Sequence, residues 1–117
     1  SHIESLESGK AITRPMLGIS MINASDTYSL YRNGIMLKDN VTTGVVVVEI
    51  SKNSGASKSD LQKGDVVTKI NNEKVDNMAY LRYELYKYNA GDEITLTYLR
   101  DGKERTTKVK LTEYKED

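Results

Sequence analysis

Ser59–Val75 reads SDLQKGDVVTKINNEKV, and this stretch decides the fold. Its centre, Asp65–Ile70 (DVVTKI), is short and β-branched, which marks a strand. Lys63-Gly64 stands just before it, a basic residue and a glycine in the order that stops a helix. The preceding SGASKSDL (Ser54–Leu61) is therefore expected to hold a short helix ending near Gly64. After the strand, Asn71-Asn72 predicts a tight turn toward Lys74-Val75. Asp76 or Asn77 then caps a helix over Met78–Tyr88. Met78, Leu81, Leu85 and Tyr88 form one apolar stripe along that helix.

Working outward, Gly44–Ile50 (GVVVVEI) is the strongest strand, continuous enough to be buried on both faces. Glu93–Leu99 and Glu104–Leu111 alternate polar and apolar residues around the turn Arg100-Asp101-Gly102-Lys103, which predicts a hairpin. Upstream, Leu17–Ile22 reads as a strand entered through RPMLGISM, Arg14–Met21. A glycine weakens a strand unless a bulge, a bend or a close approach needs it, so Gly18 calls for a reason. Asn23–Thr43 is polar and is expected to cross the surface as a long loop with a brief helical or extended segment. Ile3–Ile12 reads as a short helix, with Ile3 and Leu6 on one face, and the terminal YKED as a loose charged tail. The sum is an α+β domain, a partly open antiparallel barrel or sandwich of five to six strands capped by two helices.

Composition excludes several functions. The 117 residues suit one domain, and 17 Lys and Arg against 17 Asp and Glu give zero net charge, which argues against nucleic-acid binding. No apolar run approaches a membrane span. Cysteine is absent and the one histidine is His2, in a Ser1-His2 pair that reads as the remnant of a cleaved affinity tag. Neither a histidine or cysteine metal site nor a Ser-His-Asp triad can be assembled. Ser54, within Asn53-Ser54-Gly55, reads as a turn serine and not a nucleophile.

Three pieces then fall in a recognisable order: MLGI (Met16–Ile19), the stretch SDLQKGDVVTKINNEKV, and NAGDEITLTYLRDGK (Asn89–Lys103). Together they resemble a PDZ domain, in particular the C-terminal PDZ domain of bacterial HtrA/Deg-type serine proteases. The strand that carries the glycine loop comes first, the circularly permuted bacterial order. The resemblance covers about Arg14–Leu111 and departs at Ser59-Asp60-Leu61, where the family usually has alanine-glycine-leucine. No Gly-Asn-Ser-Gly nucleophile motif is present, so the chain reads as an accessory domain of a serine endopeptidase and not as an enzyme itself. The expected boundaries are a tag remnant and helical linker over 1–13, the PDZ domain over 14–112 and a charged tail over 113–117.

The resemblance implies capture of hydrophobic C-terminal peptides of unfolded or exported proteins. Arg14, Met16, Leu17, Gly18 and Ile19 would form the carboxylate loop. Met21, Leu81, Arg82, Leu85 and Tyr88 would line the peptide groove. A carboxylate accepts hydrogen bonds only, and consecutive backbone N–H groups in a tight loop supply donors. Gly18 would then be a glycine to let the ligand approach. Leu81 and Leu85 are divided between pocket and core, Arg14 between carboxylate attraction and a solvated surface cation, and either Arg82 or Glu84 reads a peptide side chain. No cofactor, metal or nucleic acid is implied. The other partner is the protease domain of the parent chain, at the extracytoplasmic face of a bacterial cell envelope. The alternative is a structural or regulatory domain supporting protease assembly, its groove filled in cis by Ile3–Ile12 or by the Asn23–Thr43 loop.

Overall fold

The computed structural model describes residues 14–38 and 40–114, with the backbone alone for Tyr114. The expected helix over Ile3–Ile12 lies outside the described residues. Along the chain run β1 (Arg14–Met16), β2 (Ile19–Asn23), α1 (Thr27–Arg32), β3 (Val45–Ile50), a 3-10 turn (Ala56–Lys58), β4 (Val66–Ile70), β5 (Glu73–Lys74), α2 (Met78–Leu85), β6 (Glu93–Arg100), β7 (Lys103–Lys110) and β8 (Thr112–Tyr114). One antiparallel sheet has the order β2-β3-β4-β6-β7, with β5 appended to β4, and β1 pairs β8 as a separate ribbon. The sheet stays open, as expected from the sequence.

Strand β3 is a run of valines, and both its faces are covered. Val45 and Val47 join Val67, Ile70, Leu81 and Leu96 in the main core. Val46, between them in sequence, points to the opposite side and packs with Val66, Leu30 and Ala24. That second face is covered by the segment expected to be a surface loop. Asp26 caps α1 by accepting from the Ser29 N–H at 3.2 Å, and Leu30, Ile35, Leu37 and Val41 close over the sheet.

Three elements differ from the sequence reading. Ser54–Leu61 makes only the 3-10 turn and no longer helix. Its serines bond locally, Ser57 Oγ donating to Ser54 O at 2.6 Å and Ser59 Oγ to Ala56 O at 2.7 Å, and such bonds compete with helix propagation. Helix α2 ends at Leu85, short of Tyr88, whose hydroxyl instead accepts from Asn71 Nδ2 at 2.6 Å. Glu113 and Tyr114, expected in the loose tail, pair through their backbone with Pro15 and Arg14.

The KGD triplet sets how the strands join. Asp65 is buried, and its carboxylate accepts from Arg100 Nε and Nη2, each at 2.9 Å, and from the Gln62 N–H at 2.7 Å. Arg100 Nη2 also donates to Asp60 O at 2.7 Å. The Asp65 hydrogen bond raises the Arg100 pKa above its ordinary value. Alongside it, Val47 N–H donates to Asp65 O at 2.9 Å and Gly64 N–H to Val47 O at 2.8 Å. Strand β3, the start of β4 and the end of β6 thus meet at one residue, β3 through its backbone and β6 through its carboxylate. Asp65→Ala should cost about 3 kcal/mol in urea denaturation, because it strands a partly buried guanidinium. Lys74→Ala, which breaks the exposed 3.7 Å pair with Asp76, should cost under about 0.5 kcal/mol.

Candidate functional site

Strand β2 ends the sheet and pairs only with β3, so its outer edge carries no partner among the described residues. Strand alternation puts Ile19, Met21 and Asn23 on one face. Helix α2 lies against β2 and β4. Its first turn is pinned to the far end of β2, where Asn23 Oδ1 accepts from the Met78 N–H at 2.7 Å. Asn77, its cap, accepts from the Tyr80 N–H at 3.0 Å. With the start of α2 fixed at Asn23, its last turn falls beside the loop that precedes β2.

Between strand edge and helix runs a groove of about 310 Å³. Arg14, Pro15, Met16, Leu17, Gly18, Ile19 and Met21 line it from the β1–β2 side, with Ser51 at its end. Arg82, Leu85 and Tyr86 line it from α2. Of the ten residues expected at the site, eight are brought together here. Leu81 is fully buried in the core, and Tyr88 packs half-buried against it. The apolar stripe read from the sequence is the core face of α2. The groove face lies one residue further round, at Arg82 and Tyr86, four apart and on one side of the helix. Leu85 serves both. Tyr86, Pro15 and Ser51 were not anticipated, and the four-residue step from Arg82 was the signal that pointed to Tyr86.

The loop explains its glycine. Gly18 has φ +87°, the left-handed region, and an added Cβ would fall on the Cβ and Oγ of Ser54. Ser54 is buried, its Oγ donating to Ser51 O at 2.7 Å and accepting from the Ser57 N–H at 3.1 Å. It is the turn serine that the sequence suggested. Gly18 is therefore required by the protein's own packing before any ligand is considered.

Both carbonyls of the loop are turned inward. Leu17 O accepts from the Ala56 N–H at 3.0 Å, and Gly18 O from the Ser51 N–H at 2.8 Å. A trans peptide holds its N–H opposite its C=O, so the Gly18 and Ile19 N–H groups point away from the body of the domain. Among the described residues, no acceptor takes the Leu17 or Gly18 N–H. Such a row of outward amides is a nest for an anion.

Charge around the groove is one-sided. Arg14 and Arg82 line it, and among the described residues no aspartate or glutamate does. Neither arginine forms an ion pair with a described residue. Glu84, the other helix residue expected to read a peptide side chain, is buried, and Lys87 Nζ donates to its Oε2 at 3.2 Å, which raises the Lys87 pKa. Among the described residues there is no group of three or more His, Cys, Asp or Glu placed to hold a metal, and no helix long and apolar enough to cross a membrane.

The profile of the PDZ domain family matches residues 15–111. The serine protease Do-like HtrA of Lactobacillus helveticus is 36% identical over 108 residues, covering 92% of this chain and 26% of the relative. The chain thus spans about a quarter or less of the length of the curated relatives it matches. Among solved structures, the HtrA-type protease AlgW with a decapeptide aligns at TM-score 0.82 and 17% identity, over 99% of this chain and 34% of that one. The HtrA3 PDZ domain bound to a phage-derived ligand (FGRWV) aligns at TM-score 0.69 and 16% identity, over 88% and 89% of the two chains.

Gly18→Ala should destabilise the domain by about 2 kcal/mol or more, from left-handed strain plus the collision with Ser54. Adding Ser54→Gly removes the colliding atoms but leaves the strain. The double-mutant cycle, measured by urea denaturation, should return a favourable coupling of about 1 kcal/mol.

Proposed function

The chain belongs to the PDZ domain family, and from that footing we propose that it captures the free C-termini of hydrophobic peptides. The peptide would add to the open edge of β2, running antiparallel to it, with its last side chain over Leu17, Ile19 and Leu85. Its terminal carboxylate would accept from the Leu17, Gly18 and Ile19 N–H groups. The observation that carries this reading is the loop with both carbonyls turned inward and its amides outward, at the head of an apolar groove beside a strand whose outer edge has no partner among the described residues. Arg14 adds a cation at that end of the groove. No described residue of the 24–43 segment lines the groove, so occlusion by that segment has no support among the described residues.

In a longer parent, the domain would tether substrate to a serine endopeptidase or relay an activating signal to it, in protein quality control at the extracytoplasmic face of a bacterial envelope. The relatives' names and the peptides in the neighbouring structures support this reading. Few side chains and one carboxylate are engaged, so Kd should be about micromolar or weaker. An amide-shift titration tests the mechanism, using a short peptide ending in free valine and its amidated twin. The free acid should move the Leu17, Gly18 and Ile19 amides in a saturable way, and the amidated peptide should leave them in place. Equal binding by the two would show that the carboxylate is not recognised.

A further inference from the structure

Tyr88 continues the α2 stripe but does not line the groove, and its hydroxyl is held from the far side of the helix. Asn71 follows the last residue of β4 and sits in the left-handed region, at φ +52°. Its N–H donates to Thr95 O at 2.7 Å and its Oδ1 accepts from the Thr95 N–H at 2.9 Å, which ties it to β6. Its Nδ2 donates to Tyr88 Oη at 2.6 Å. Asparagine tolerates this backbone and offers a donor and an acceptor at once. From Tyr88 the hold reaches the groove in one step. The Tyr88 N–H donates to Leu85 O at 3.1 Å, and Leu85 lines the groove beside Tyr86. Helix α2 is thus held at both ends by an asparagine, Asn23 in β2 at its first turn and Asn71 just past β4 beyond its last.

We propose that Asn71 and Tyr88 are positioning residues for the peptide: their hydrogen bond sets the distance between the last turn of α2 and the Leu17–Gly18 loop. This rests on the reading above, that a peptide C-terminus sits at that loop. The Asn23 contact fixes the first turn alone, and the side chains that meet the ligand, Leu85 and Tyr86, are at the other end. The Asn71–Tyr88 bond is what anchors that end to the sheet. Removing the Tyr88 hydroxyl costs the fold little, because the ring still packs against the core and water can take the hydroxyl's place at a half-buried amide. Binding loses more. A domain whose α2 end moves among several positions binds only from the fraction that matches the peptide, and its apparent affinity falls by that fraction.

Tyr88→Phe tests this beside a control of similar stability cost, Ile35→Val, which trims the second face away from the groove. Urea denaturation ranks the stabilities of the two variants. Fluorescence polarisation then measures binding of a labelled peptide ending in free valine, and of its amidated twin, under conditions where all the protein is folded. Tyr88→Phe should bind the free acid about three- to tenfold more weakly than the unaltered domain, the range of one net hydrogen bond, and Ile35→Val should bind it as the unaltered domain does. Hydrogen exchange supplies the second readout. In free Tyr88→Phe the Tyr86 and Lys87 amides, which donate to Arg82 O and Glu84 O, should exchange faster than in the unaltered domain, and saturating peptide should slow them again. Unchanged free-acid binding by Tyr88→Phe, with the amidated peptide still weaker, would overturn the positioning role alone and leave carboxylate capture standing. Equal weakening by Ile35→Val would also overturn it, since stability and not position would then govern binding. Equal binding of free and amidated peptides by the unaltered domain would overturn the underlying reading as well.

Discussion

Asp65 is the constraint on which the arrangement of strands depends. A carboxylate that is 2% exposed must be fully paired, and here Arg100 takes both of its oxygens while the Gln62 amide takes one again. The pairing joins the end of β6 to the entry of β4. The backbone on either side of that carboxylate is hydrogen-bonded to Val47 in β3, in both directions. Among the described residues, β3 in turn is the only strand that holds β2, and none pairs with its far edge. The position of the candidate binding edge is thus inherited, strand by strand, from one buried ion pair at the other end of the sheet.

The groove is formed by groups that are already held by the fold. Ser54 and Ala56 fix the Leu17–Gly18 loop from behind, and with the carbonyls engaged the amides have one direction left. At the other end, Asn23 fixes the first turn of α2 to the strand. Neither wall has to be ordered by the ligand, which lowers the entropy lost on binding. The double coverage of β3 serves the same end. Because α1 together with Ile35, Leu37 and Val41 closes the second face, Val46 and Val66 are withdrawn from water and the sheet has one face left to share with α2.

Much of this was legible in the sequence, for reasons that can be named. Strands β3, β4, β6 and β7 announce themselves through β-branched runs, alternation and an Asp-Gly turn whose residues take φ +54° and +79°. The α2 stripe was correct as periodicity, but it marked the core. The groove face is offset by a single residue, and a helical stripe alone cannot say which face meets a ligand. Arg82 and Glu84 looked alike for the same reason, until packing buried one and exposed the other. The 54–61 helix failed because serine hydroxyls satisfied the backbone locally. The reason for Gly18 was half legible. The need for a glycine was plain, while its collision with Ser54, 36 residues away, is a tertiary fact.

The most direct test of the central claim is hydrogen exchange of the Leu17 and Gly18 amides, measured by NMR with and without a saturating peptide that ends in a free valine carboxylate. In the free domain both should exchange quickly, since no acceptor among the described residues covers them. With the peptide bound, both should slow by about tenfold or more, while amides of the 24–38 segment keep their rates. Slow exchange at both positions before any peptide is added would mean that the loop is already occupied. Unchanged rates at saturation would mean that the carboxylate does not sit at Gly18.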